Sequence, residues 1–90
     1  MRWQVFGDLD LYGSTRLKEV VEGWVRAGWL RHTVDLRGAT SMDASGIRHL
    51  VGLHKLLRNR GELRICAVAG RQPERLLVST GASRILKVEY

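Results

Sequence analysis

A chain of 90 residues with one cysteine makes one small domain, excludes an internal disulfide, and buries only about two thirds of the surface that its unfolded form exposes. Its 44% hydrophobic and 27% charged residues suit an ordinary globular domain, and no apolar run approaches the roughly 18 residues that span a bilayer. The net charge of +6 raises nucleic acid as a partner, but the bases are spread over every segment without zinc-ligand spacing, an aromatic RNA-binding signature or a recognition helix. No direct nucleic-acid contact is therefore expected, and an acidic protein partner accounts for the charge more simply. The start Met1-Arg2-Trp3-Gln4 has no secretory apolar region, which predicts a cytoplasmic protein without membrane insertion.

Trp3 to Phe6 read as a short strand by period-two alternation, ended by Gly7-Asp8-Leu9-Asp10. Gly13-Ser14 signals a helix start. From Ser14 or Thr15 to about Ala27, Leu17, Val20, Val21, Trp24 and Val25 form one apolar stripe. Gly28 stops that helix, and a second strand is predicted from about His32 to Leu36. A second helix runs from Asp43 or Ala44 to about Asn59, with Ile47, Leu50, Val51, His54 and Leu57 on one face and Gly61 at the C′ position. His54 lies in the stripe and His49 beside it, without acidic or thiol ligands at metal spacing, so one is expected packed and the other exposed. Leu63 to Ala69 read as a third strand whose apolar character predicts burial on both faces, with Cys66 a buried free thiol. Gly70-Arg71-Gln72-Pro73 makes a turn, Pro73 suits the first turn of a short helix through about Ser79, and Gly81 ends it. Ile85 to Val88 are the last predicted strand.

The order is βαβαβαβ, with connections long enough for helical crossovers. It predicts an α/β fold: one domain over residues 1–90, with a largely parallel four-stranded sheet packed by helices. The carboxyl ends of parallel strands share one edge, where sites in open α/β sheets gather. Gly7 to Asp10, Gly38 to Asp43 and Gly70 to Pro73 belong to that edge, which places Asp8, Asp10 and Asp43 around Ser45. Asp8 and Asp10 serve equally as turn formers.

Thr40-Ser41-Met42-Asp43-Ala44-Ser45-Gly46 is the stretch that carries function. Asp43 is a good N-cap, which puts Ala44 and Ser45 in the first turn. There, free N–H groups and the helix dipole favour an anion such as a phosphoryl group. A plain capping role for the serine fits the same position. Glycine in a first turn costs about 0.5–1 kcal/mol against alanine, so Gly46 implies a close approach to the backbone. No GxxxxGK[ST] loop, GxSxG elbow or HExxH sequence is present, and Ser45 has no evident histidine base. Neither catalysis nor a cofactor or metal is expected.

The chain resembles the STAS domain family and, within it, the anti-sigma factor antagonists. Gly7-Asp8-Leu9-Asp10 is similar to the family's G-E-L-D segment, and Val34 through Ile47 to its V-D-L-S-G-V-T-F-M-D-S-S-G-L signature without a gap. Arg60-Gly61-Glu62-Leu63-Arg64-Ile65 resembles the G-G-x-L-x-L passage, and Arg75-Leu76-Leu77 with Thr80-Gly81 the L-x-x-x-G-L passage. Ala44 stands where the family has its first serine, and Ser41 where a bulky residue is usual. The resemblance implies an unmodified antagonist that binds an anti-sigma factor, itself a serine kinase, and so frees a sigma factor. Phosphorylation of Ser45 breaks the complex and a PP2C-type phosphatase restores it. Asp8, Asp10, Asp43, Ala44, Ser45, Gly46 and Arg48 are the implied partner-binding residues. It also implies that the family's first strand and C-terminal helix are lacking, which would leave an edge and a face for a second copy of the chain. Two other readings keep the residues but change the role: a constitutive STAS subunit of another assembly such as a lipid-transport ATPase, and a small metal-binding enzyme using the acidic edge.

Overall fold

The computed structural model describes residues 1–90. In chain order it contains β1 (Arg2–Leu9), α1 (Leu11–Arg26), β2 (Arg31–Met42), α2 (Ala44–Leu57), β3 (Glu62–Cys66), α3 (Gln72–Ser79), a 3₁₀ turn (Ala82–Arg84) and β4 (Lys87–Glu89). All strand pairs are parallel, in the spatial order β1-β2-β3-β4. Strands that step across a sheet in one direction through right-handed crossovers place every helix on the same face. One core accordingly joins Val21 and Val25 of α1, Leu50, Leu53 and Leu57 of α2 and Leu77 of α3 to Val34, Leu36, Leu63 and Ile65 of the sheet.

The other face of the sheet is open. Arg2, Gln4 and Phe6 of β1, Arg64 of β3 and Lys87 and Glu89 of β4 are exposed on alternate positions. The predicted two-sided burial of the third strand is thus corrected: Leu63 and Ile65 are buried, Arg64 is exposed and Cys66 is half-buried rather than fully covered. Asp35 is the exception in this face, buried under two arginines. Arg37 donates from Nε at 3.0 Å and Nη2 at 2.9 Å, and Arg2 from Nη2 at 2.9 Å. These bonds, led by that of Arg37, hold the Asp35 carboxyl far below its ordinary range.

Several boundaries move from the sequence reading. Helix α1 starts three residues before Ser14, because Asp10 caps it by accepting the Gly13 N–H at 2.9 Å. The segment Gly38–Met42 is strand, not loop. Two register shifts against β1 give β2 more residues than β1 over the same span, so both strands end together at the Leu9–Met42 pair. Gly61 is not in the left-handed region; a Cβ there would lie 2.1 Å from the Leu30 carbonyl oxygen, so close packing of two backbones demands the glycine. The last strand starts at Lys87, leaving Ile85 outside. The deeply buried histidine is His32, with 2% exposure, whereas His49 and His54 are half-buried. Trp3 Nε1–H donates to His32 Nδ1 at 3.0 Å, which leaves Nε2–H to donate to the Trp29 carbonyl at 2.7 Å.

Candidate functional site

The end of β2 delivers Asp43 to the start of α2. Its N–H donates to the Leu9 carbonyl at 3.4 Å, and its Oδ1 accepts the N–H groups of Ser45 at 2.9 Å and Gly46 at 3.3 Å. The predicted cap is therefore present. Its consequence differs from the sequence expectation, because the carboxylate already occupies the anion position and takes up two of the orphan donors. Asp43 and Ala44 are exposed, Ser45 is half-buried and Gly46 is buried. A Cβ on Gly46 would lie 2.6 Å from Met42 Cγ and 3.4 Å from the Leu9 carbonyl oxygen. The close approach implied by this glycine thus comes from the chain's own strand ends. Arg48 lies exposed one turn on and enters no ion pair.

The first turn of α1 stands next to this one. Asp10 and Asp43, the two helix caps, line one groove of about 570 Å³ together with Leu11, Tyr12, Thr15, Arg16 and Glu19. Three carboxylates against one guanidinium make the groove acidic, and Leu11 at 58% and Tyr12 at 86% exposure give it an apolar lip. The sequence reading missed this lip; the early start of α1 is what turns both side chains outward. Behind it, the buried Ser14 hydroxyl bonds His49 Nδ1 at 2.8 Å and ties α1 to α2.

Asp8 does not join this group. It lies among the exposed residues of β1 and accepts from Thr40 Oγ1 at 2.9 Å and Ser41 Oγ at 2.7 Å. The Ser41 bond, then the Thr40 bond, keeps its carboxyl ionised below the usual range. No three or more His, Cys, Asp or Glu side chains converge as metal ligands, and no helix is long and apolar enough to cross a membrane.

A capped helix start between the carboxyl ends of β1 and β2 is the setting in which the segment Asp43-Ala44-Ser45-Gly46 becomes diagnostic. The STAS domain model matches residues 3–90. The chain belongs to the STAS domain family. An NMR structure of the protein TM1081 superposes with a TM-score of 0.82 at 19% identity, covering 98% of this chain and 71% of that one. A crystal structure named "putative anti-sigma factor antagonist (tm1081)" from Thermotoga maritima gives a TM-score of 0.79 at 20% identity, over 91% of this chain and 71% of that one. At such identities the likeness shows the fold alone. A comparison with curated proteins finds no match.

Proposed function

We propose that this STAS domain is an anti-sigma factor antagonist: a non-enzymatic, cytoplasmic protein-binding switch whose state is set by phosphorylation of Ser45. Unmodified, it sequesters an anti-sigma factor that is also a serine kinase, and a PP2C-type phosphatase resets it. The observation that carries this reading is the half-buried Ser45 in the first turn of α2, one residue past the exposed Ala44 and beside a groove that a partner can enter. A phosphoryl group would add about −1.5 to −2 charges beside the Asp43 carboxylate, in a neighbourhood that already holds Asp10 and Glu19. Covering that surface with a partner would then bury like charges together, which costs affinity. Partner contacts are assigned to Asp10, Asp43, Ala44, Ser45, Gly46 and Arg48, with Asp8 at their margin.

The test is the phosphorylation state of Ser45 in the native cells, read by mass spectrometry with fragmentation, together with partner capture by Ser45→Asp and Ser45→Ala. Occupancy that changes with growth condition, and loss of capture by Ser45→Asp alone, are the expected results. If both variants capture the partner as the parent does, the switch is wrong. One observation favours a constitutive interaction subunit instead: the Asp43 carboxylate completes the helix start without any phosphoryl group.

A further inference from the structure

A cluster of bases gathers at one pole of the fold. In an all-parallel α/β sheet the helix ends and strand starts gather at one pole. Arg26 ends α1, Arg31 starts β2, Arg58 and Arg60 follow α2, and Lys87 starts β4. The acids Asp10, Glu19 and Asp43 lie at the opposite pole, around the groove beside Ser45. Arg31, Arg58, Arg60 and Lys87 line one concavity of about 540 Å³ with Asn59 and Glu62. Glu62 bonds Lys87 at 2.6 Å and Arg64 at 3.0 Å, while the five ion pairs of the molecule leave Arg26, Arg31, Arg58 and Arg60 without a carboxylate. Four exposed guanidinium groups at one pole are thus free for external anions.

The same pole carries exposed aromatic surface. Trp24 is 40% exposed and Trp29 54%, on either side of the tip Arg26-Ala27-Gly28. Their rings meet edge to face, with centroids 6.1 Å apart and planes at 85°. The tip is held in place. Trp29 N–H donates to the Trp24 carbonyl at 3.0 Å, and buried His32 donates to the Trp29 carbonyl at 2.7 Å. Continuity with the arginine concavity comes from the Leu30 carbonyl, which accepts the Glu62 N–H at 2.9 Å.

We propose that this pole docks on an anionic lipid surface, with the free arginines on headgroup phosphates and Trp24 and Trp29 at the level where headgroups meet acyl chains. Arginine forks match phosphate oxygens two at a time. Tryptophan, apolar in body and polar at its N–H, settles at that boundary. Basic side chains near an anionic membrane each add attraction within a Debye length. Perpendicular indoles do not offer the parallel platforms on which consecutive bases of a single strand stack, so a lipid surface fits better than nucleic acid. The inference is independent of Ser45, which lies at the other pole.

The test is sedimentation of the full chain with phosphatidylcholine vesicles, with and without phosphatidylglycerol, while tryptophan emission is followed. Expected are binding to the anionic vesicles alone, a blue shift on binding, and release by added salt. The double variant Arg58→Ser/Arg60→Ser should lower partitioning on the order of tenfold or more. Trp29→Ser should lower it too, with circular dichroism confirming that both variants fold as the parent. The proposal fails if anionic vesicles leave the protein in the supernatant, or if neutral vesicles bind equally. It fails also if the arginine variant partitions as the parent does, or if a single-stranded oligonucleotide is bound while vesicles are ignored.

Discussion

Gln72 treats Met42 as a neighbouring strand would. Its Oε1 accepts the Met42 N–H at 2.7 Å, and its Nε2 donates to the Met42 carbonyl at 2.8 Å. The pairing of β2 with β3 ends at Asp35 and Cys66, so the far end of β2 has no strand on that side. A side-chain amide at the start of α3 stands in for the missing peptide group, directly before the Asp43 cap. Gln72→Ala should cost about 1–3 kcal/mol, because both backbone groups of Met42 lose their partner. Urea melts give that cost. Hydrogen exchange should speed up at the amides of Ser45 and Gly46 before it does in α1; unchanged protection there would show that the amide clamp does not order the site.

The two tight glycines should differ in their response to a methyl group. Gly46→Ala meets Met42 Cγ, the middle of a flexible side chain, and should cost about 1–3 kcal/mol as the thioether shifts. Gly61→Ala meets the Leu30 carbonyl oxygen at 2.1 Å, which is backbone. That variant should be the worse of the two, by more than about 1 kcal/mol in a thermal or urea melt. The reverse order would mean that the Leu30 connection yields more easily than Met42.

Stability should fall with acidity in two separate windows. His32 has its pKa lowered, first by burial, with the Trp29 carbonyl opposing. Protonation would also put a hydrogen on Nδ1, where Trp3 Nε1–H already donates. The unfolded chain therefore binds a proton that the folded chain refuses, so the contribution is present above the ordinary value of 6.5 and is lost as the pH falls below it. Melting temperature should drop between about pH 7 and pH 5 in the parent, and His32→Gln should flatten that slope. Asp35, whose pKa is also lowered, loses its contribution only below the ordinary 3.8. Asp35→Asn should shrink that second, more acidic window, to which the lowered carboxyls of Asp8 and Glu62 also contribute, and leave the first.

Ser14→Ala would leave His49 Nδ1 without its 2.8 Å partner and open a small void at the α1–α2 contact. A loss of about 1 kcal/mol is expected, measured as a shift in the urea midpoint at constant slope. A neutral result would show that water takes the place of the hydroxyl.

Element order and parallel topology were legible because each helix carries its stripe and each strand lies between turn residues. Leu17, Val21 and Val25, or Ile47, Leu50 and Leu57, announce a 3.6-residue period directly. The Asp43 cap was legible for the same local reason. Four things were not. The start of α1 was hidden because Asp10 reads equally as a turn residue and a cap, and its choice depends on the Gly13 N–H. The extent of β2 depends on bulges against β1, a relation between two segments that no single window contains. The basic pole was hidden because Arg26, Arg31, Arg58, Arg60 and Lys87 are far apart along the chain and meet only once parallel crossovers bring their segment ends together. Gln72 gave no signal at all, since an amide that completes a strand edge looks in sequence like any polar residue.

Because every strand points the same way, the fold has two chemically unlike poles within a body whose longest dimension is 34 Å. The two proposed binding surfaces lie at opposite poles, so ligands there would not compete for the same residues. Tethering through the arginine pole would turn the Ser45 pole outward and confine whatever binds there to a thin layer. Encounter within such a layer is governed by local concentration rather than by the bulk amount of either protein, and weak contacts at Ser45 would then suffice.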